Sequence, residues 1–131
     1  GVNAMTDVTG FGLMGHLLEM ASGSGCSASI DYANVPLIEG LQSYISQRIS
    51  PDATPRNWNA YSSKIKFEKG VNVMEAFTVL PDPQTNGGLL ISCAPSALKD
   101  VQQLLNENGL APFSSPIGKM ITKSEFGVYI N

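Results

Sequence analysis

The chain is poor in the residues that build metal sites and disulfide scaffolds. Its 131 residues include one histidine and only two cysteines, Cys26 and Cys93. The cysteines lie far apart in sequence and form neither a C-x-x-C pair nor a zinc-ligand spacing. A disulfide scaffold is therefore disfavoured, and a reducing compartment, the cytoplasm, is expected.

Positive charge and long apolar runs are also scarce. Eight lysines and arginines face eleven aspartates and glutamates, for a net charge of -3, and the basic residues are scattered. The sequence contains no cluster of basic residues that could bind a nucleic-acid phosphate backbone, so nucleic acid is not an expected partner. No apolar run approaches the ~20 residues that cross a bilayer, and no signal-peptide pattern opens the chain. A membrane is therefore not an expected partner either.

The composition that remains is that of a folded domain. Hydrophobic residues make up 43% of the chain, and no internal repeat or linker interrupts it. A chain of this length can bury its own core, so we predict a single domain over residues 1–131. Because it opens on Gly1 and runs at once into a motif, we interpret it as a segment of a longer protein.

Hydrophobic patterning predicts alternating strands and helices. We expect strands at residues 2–7, 26–32 and 89–93, the second with one wet face and the third buried, and helices at 12–21, 37–48 and 95–108. Residues 50–59 read as a surface loop, and 61–68 and 74–80 leave helix and strand open. Residues 117–122 and 126–130 read as a terminal hairpin. The predicted fold is an α+β, layered α/β domain, a mixed sheet with helices packed on its faces.

The first group of residues that could form a functional site is TDVTGFG at residues 6–12. A carboxylate, Asp7, stands at a strand end directly before a glycine-rich helix start. Helix N-termini attract phosphate, and Mg²⁺ can join a phosphate to a carboxylate. Asp7 is thus a candidate Mg²⁺ ligand facing a nucleotide. Spacing alone favours a second interpretation, in which Asp7 or Thr9 caps the helix and the glycines serve close packing.

The second constellation is DPQTNGGLL at residues 82–90. Its Asp-Pro and Asn-Gly pairs are turn formers, and Gly87 and Gly88 permit positive φ or close approach of another backbone. Composition alone favours a tight entry to a buried strand over a binding role for this segment.

Together these strings resemble the selenophosphate synthetase (selenide, water dikinase) family. Residues 6–13 with Gly15 and His16 resemble the segment that opens that family's C-terminal domain, and residues 82–90 resemble its DPQTSGGLL segment. Residues 54–57, followed by Tyr61, are similar in part to the family's threonine-arginine-asparagine loop. Residues 116–120 are similar to its isoleucine-glycine-glutamate strand. The resemblance covers nearly the whole chain, in order.

This resemblance implies an enzyme that makes selenophosphate from selenide, ATP and water, releasing AMP and phosphate. The family belongs to the aminoimidazole ribonucleotide synthetase superfamily, whose members have two α/β domains. The N-terminal domain holds most of the nucleotide and usually forms the homodimer. The chain would then be the C-terminal domain of a two-domain enzyme, with its own N-terminal domain as partner. It would supply one wall of the ATP–Mg²⁺ cleft and be inactive alone.

The resemblance also carries residue roles onto this chain. Asp7 is implied as a Mg²⁺ ligand. The implied cofactor-binding residues are Thr9, Gly10, Gly12, Thr85, Gly87 and Gly88. No catalytic residue is implied, because the family's reactive cysteine or selenocysteine and its essential lysine lie in the N-terminal domain. Cys26 and Cys93 read as small core residues and His16 as a packed helical histidine. The chain departs from the family pattern at Asn86, usually serine, and at Pro55, where a basic residue is usual.

Two other functions stay open on the sequence. A free-standing, non-catalytic binding module of the same fold would also lack the nucleophile and the lysine. Another ATP-dependent member of the superfamily, such as a hydrogenase-maturation or purine-pathway enzyme, would share the fold, although the DPQT string argues against it.

Overall fold

The computed structural model describes residues 1–131 and shows an α+β architecture of two sheets with helices packed against them. The six strands are β1 (Val2–Asp7), β2 (Ser27–Ile30), β3 (Ile65–Phe67), β4 (Leu89–Cys93), β5 (Gly118–Ile121) and β6 (Val128–Ile130). The five helices are α1 (Gly12–Gly23), α2 (Leu41–Ser46), α3 (Ala53–Tyr61), α4 (Val73–Val79) and α5 (Leu98–Glu107). None of them is long and apolar enough to cross a membrane.

The larger sheet is mixed, as predicted, with strand order β3-β6-β2-β5. Strand β2 pairs in parallel with β6 and antiparallel with β5. The predicted hairpin of the last two strands is therefore wrong, because β2 lies between them. The buried Ser27 explains the crossing: its hydroxyl donates to the Phe126 carbonyl (2.7 Å) and accepts from the Ser124 N–H (3.0 Å). These bonds hold the β5–β6 connection across the start of β2, and they also correct the expectation that Ser27 faces water.

The core lies between α1 and this sheet. One face of α1 buries Leu17, Leu18 and Ala21 against strand residues such as Ala28 and Val128. Each fully buried aliphatic side chain of this size contributes roughly 1.5–3 kcal/mol. The apolar spacing that predicted α1 is thus the pattern that seats the helix on the sheet.

The predicted surface loop at residues 50–59 is wrong, because most of it forms α3. Pro55 lies in the first turn of that helix, where proline is tolerated because the first amides have no intrahelical partner. Thr54 is fully buried, and Trp58 stacks on Phe67 with ring centroids 5.7 Å apart. Tertiary packing of these side chains overrides the turn-like composition.

The predicted helix at 37–48 is much shorter in the structure. Gly40, with φ +81°, precedes α2, and Arg48, with φ +59°, follows it, so only Leu41–Ser46 is helical. The apolar spacing of this segment predicts an inward helix face that includes Ile38, but that face is largely exposed, for example at Ile38 itself (78% exposed). The two undecided segments resolve as β3 preceded by a 3₁₀ turn and as α4, while α5 matches its prediction after a 3₁₀ turn at Pro95–Ala97.

Strands β1 and β4 form a separate two-stranded antiparallel ribbon. Asp7 lies opposite Leu89, and Met5 lies opposite Ile91. The sequence predicts a buried β4, but Leu89 is 63% exposed and the rest of the strand is half-buried. The expectation of a buried strand is therefore wrong in this chain, because only one face of the ribbon is covered. Cys26 and Cys93, expected in the core, are half-buried free thiols.

Candidate functional site

The two sequence strings meet at the end of the ribbon. The Val8 N–H donates to the Gly88 carbonyl (2.9 Å), and the Gly87 N–H donates back to the Val8 carbonyl (2.9 Å). The Gln84 N–H donates to the Thr9 carbonyl (3.1 Å). Backbone hydrogen bonds thus join segments that are distant in sequence into one surface, which we call the joint (residues 7–12 and 81–89).

Gly12 makes close backbone contact possible within the joint. Its φ is +68°, and a Cβ there would lie 2.6 Å from the Pro81 carbonyl carbon and 2.8 Å from the Asp82 oxygen. The first turn of α1 is tied to the same segment at a second point, since the Met14 N–H donates to the Leu80 carbonyl (2.9 Å). Gly12 therefore has a packing role, the one that the alternative interpretation assigned to the glycines.

Gly87 has a similar steric reason to be glycine. A Cβ there would lie 2.5 Å from Gln84 Oε1 and 2.7 Å from the Val8 oxygen. Gly10 differs, because a Cβ at that position would meet nothing within 4 Å and its φ is not positive. Gly10 is exposed, so the chain's own packing does not require a glycine there and the surface above it is open.

Asn57 ties the joint to α3. Its side-chain Nδ2 donates to the carbonyl oxygens of Gly10 (2.8 Å) and Pro81 (2.9 Å), one from each string. Sequence reasoning did not include Asn57 among the site residues. The signal that could have found it is its place in the 54–57 segment, the third part of the family resemblance.

The prediction that Asp7 or Thr9 could cap α1 is wrong. The helix begins after Phe11, and no side-chain hydrogen bond caps it. The Thr9 hydroxyl instead lies 3.2 Å from Nε2 of His16, at the start of the second turn of the helix. The Gly12 and Met14 amides are already bonded to carbonyls, so few free N–H groups remain at the helix start for a phosphate.

His16 is packed, as the sequence predicts, and it contacts the first string. It is only 7% exposed, its ring lies 5.5 Å from that of Phe11, and its Nδ1 lies 3.5 Å from Glu19 Oε2. Nδ1 is buried without a hydrogen-bond partner. A cavity of about 240 Å³ adjoins it, lined by Thr6 and Met20 among others. The sequence does place His16 at the end of the first string.

Asp7 presents a carboxylate at the edge of the joint. The residue is exposed, and its side chain makes no hydrogen bond. The chain contains no group of three or more histidine, cysteine or acidic residues that could hold a metal ion. A single carboxylate nevertheless fits Mg²⁺, which proteins often hold through one or two carboxylates, with water and phosphate oxygens completing the shell. The chain can therefore contribute one carboxylate, and a bound ion would need further ligands.

The remaining predicted residues lie on the turn before β4. Thr85, Asn86 and Gly88 are exposed there, and Gly88 has φ +81°. Asp82 is partly buried beside them, and desolvation raises the pKa of its carboxyl group. The structure thus brings the predicted residues of both strings to one surface; their roles in binding stay predictions.

A known protein family matches the chain over its whole length, and curated relatives match nearly all of it. Residues 1–131 match the family described as AIR synthase related protein, C-terminal domain. A protein of Burkholderia ambifaria named selenide, water dikinase is 40% identical over 121 residues, which cover 92% of this chain and 34% of that protein. One of the same name from Pseudomonas putida is 41% identical over 130 residues, covering 99% of this chain and 36% of that protein.

The chain thus spans about a third of the length of these curated relatives. The match confirms the resemblance that the two strings indicated, and it agrees with the mixed sheet and packed helices of the fold. This chain therefore belongs to the family of C-terminal domains of AIR synthase related proteins.

Proposed function

We propose that this chain is the C-terminal domain of a selenide, water dikinase. The longer enzyme makes selenophosphate from selenide, ATP and water and releases AMP and phosphate. This domain supplies one wall of the ATP–Mg²⁺ cleft. The observation that carries the proposal is the joint, because it gathers both family strings around one exposed, unpaired carboxylate, Asp7. The names of the relatives support the substrate class.

The chemistry asked of this domain is positioning and charge neutralisation. Phosphoryl transfer depends largely on both, and bound Mg²⁺ supplies much of the neutralisation. Asp7 would hold the ion through its carboxylate. Asn57 and Gly12 keep the joint in one shape, and Gly10, Thr85 and Gly88 leave an open surface for the nucleotide.

The partner in this proposal is the enzyme's own N-terminal domain. Asp7 shares the outer face of the ribbon with Met5, Leu89 and Ile91, because residues paired across antiparallel strands point to the same side. Met5 is 59% exposed and Leu89 is 63% exposed. A domain that covers these apolar side chains would lie directly against Asp7 and could bring the missing ligands. The full-length enzyme would be a cytoplasmic homodimer, and the two free thiols fit a reducing compartment.

The test is Asp7→Asn in the full-length enzyme. We expect selenide-dependent AMP formation to fall by at least about a hundredfold, as for loss of a group that stabilises transition-state charge. The matched control is Asp52→Asn, an exposed aspartate before α3 without a side-chain capping bond, which should leave turnover unchanged. Near-normal turnover of the Asp7 variant would disprove the metal role.

The isolated chain offers a second check. Half of a cleft should bind Mg-ATP too weakly for calorimetric titration at micromolar concentrations. Micromolar binding by the 131-residue chain would instead support the free-standing binding module.

A further inference from the structure

The only histidine of the chain links α1 to the joint. Its Nε2 lies 3.2 Å from Oγ1 of Thr9, and its Nδ1 lies 3.5 Å from Oε2 of Glu19. The residue is only 7% exposed, and Nδ1 has no hydrogen-bond partner. A neutral imidazole carries its one N–H proton either on Nδ1 or on Nε2. Which nitrogen carries the proton decides whether the Thr9 hydroxyl donates a hydrogen bond to Nε2 or accepts one from it.

The carboxylate of Glu19 favours one of the two neutral tautomers. With the proton on Nε2, the Nδ1 lone pair of His16 would point toward an anionic oxygen at 3.5 Å. With the proton on Nδ1, an N–H dipole points at that oxygen, and the Nε2 lone pair accepts a hydrogen bond from the Thr9 hydroxyl. The second arrangement replaces a repulsion with an attraction. Because His16 is buried but the Glu19 side chain is 64% exposed, solvent screens part of this term, and the hydrogen bond that Nε2 accepts from Thr9 adds to the same preference.

The backbone of Thr9 is fixed independently of this contact. Its carbonyl accepts hydrogen bonds from the Gly12 N–H (3.0 Å) and the Gln84 N–H (3.1 Å). The backbone contacts do not set the direction of the Thr9 O–H bond. His16 lies within hydrogen-bond distance of this hydroxyl and can set it.

We propose that Glu19 and His16 orient the Thr9 hydroxyl so that its hydrogen is committed to His16 and only oxygen lone pairs face the cleft. Thr9 then acts as an acceptor beside Asp7, suited to a donor such as a water of a cation's hydration shell, and not as a donor to a phosphate oxygen. His16 and Glu19 are positioning residues. The role of Thr9 in the cleft rests on the proposed function. The tautomer of His16 is independent of the proposed function.

The tautomer can be measured directly on the 131-residue chain. Because the chain has one histidine, a long-range ¹H–¹⁵N correlation spectrum of a ¹⁵N-labelled sample without a histidine tag shows a single imidazole. At a pH where the ring is neutral, we expect a protonated Nδ1 and an unprotonated Nε2. A protonated Nε2 would overturn the proposal, whatever the activity of the longer enzyme.

A charge-neutral variant tests the role of Glu19. Glu19→Leu should lower the Nδ1–H population of His16, because no acceptor oxygen then lies near Nδ1. Glu39→Leu, at an exposed glutamate outside this cluster, is the matched control and should leave the tautomer unchanged. An unchanged tautomer in the Glu19 variant would remove Glu19 from the proposal.

The consequence for the cleft is tested in the full-length enzyme. His16→Leu removes the acceptor, whereas His16→Gln keeps an amide oxygen of similar reach. We expect His16→Leu and Thr9→Val to raise the Mg²⁺ concentration for half-maximal turnover roughly three- to tenfold, the value of one lost hydrogen bond, and His16→Gln and Thr9→Ser to raise it less.

A purely structural role would give a different result. Both His16 variants would then lower the melting temperature and kcat together, with an unchanged Mg²⁺ requirement. That outcome would overturn the acceptor role of Thr9. If Asp7→Asn leaves turnover normal while the expected tautomer is found, the metal role proposed for Asp7 fails and the orientation of Thr9 stands.

Discussion

The two sheets of this small domain are built in opposite ways. In the four-stranded sheet, Ala28, Val128 and Ile130 are at most 1% exposed beneath α1. In the two-stranded ribbon, Met5 and Leu89 are more than half exposed, and this chain covers their face only in part. The first sheet holds the core, whereas the second presents the candidate site.

The two regions are held in place by different interactions. Side-chain burial orders the large sheet. The joint at the end of the ribbon depends instead on backbone hydrogen bonds, such as those between Val8 and Gly87 or Gly88, and on the side chain of Asn57. Such a region can leave Asp7 exposed without losing its shape. Variants in matched pairs should separate the two kinds of order.

The largest expected effect distinguishes two methionines. Met14 is 2% exposed in the core, and Met5 is 59% exposed on the ribbon. Met14→Ala should lower the free energy of unfolding by about 2–5 kcal/mol, because it leaves a cavity. Met5→Ala should cost less than about 1 kcal/mol in the isolated chain. Urea unfolding measures both, and equal losses would refute the contrast.

Two glycines of the first string should differ almost as much. Gly12→Ala places a Cβ against the backbone of Pro81 at a positive φ, which should cost about 3 kcal/mol from strain and overpacking combined. Gly10→Ala meets nothing within 4 Å and should change the unfolding free energy by less than about 0.5 kcal/mol. Urea unfolding of both variants tests this difference. A large loss of unfolding free energy in Gly10→Ala would show that packing, and not an open surface for a ligand, explains the glycine at that position.

Removal of the Asn57 bonds should have an intermediate effect. Asn57→Ala leaves the Gly10 and Pro81 carbonyls without their side-chain donor and should cost about 1–3 kcal/mol. Asn59→Ala, on an exposed site of the same helix, is the control. Hydrogen exchange at the Gln84 amide should accelerate in the first variant only. Unchanged exchange would mean that the backbone bonds hold the joint unaided.

The smallest expected effect is a pH dependence at Asp82. Burial raises the pKa of this carboxyl group above its unfolded value, so the folded state favours the protonated form. Wild-type stability therefore falls as pH rises through the folded pKa, and Asp82→Asn avoids that loss. The variant should melt slightly higher near pH ~7 and the same as wild type below the unfolded pKa. A lower melting temperature near pH ~7 would contradict the burial penalty.

Local sequence signals predicted much of the architecture. β1, α1, β4 and α5 lie where residue spacing and glycine or proline punctuation placed them. α3 was missed, because Pro51 and Pro55 suggest a loop and only the burial of Thr54 and the packing of Trp58 make the segment helical. The strand order was also missed, since it depends on Ser27 contacting residues almost a hundred positions away.

By itself, the sequence determined β1, α1, β4 and α5 and, through its two strings, the family. These signals act within a few residues, so they survive without knowledge of the fold. Tertiary structure alone decided that the strings join through Val8 and Gln84, that Asn57 binds both, and that His16 meets Thr9. These contacts connect distant parts of the chain, and their partners depend on how the whole sheet and α1 pack.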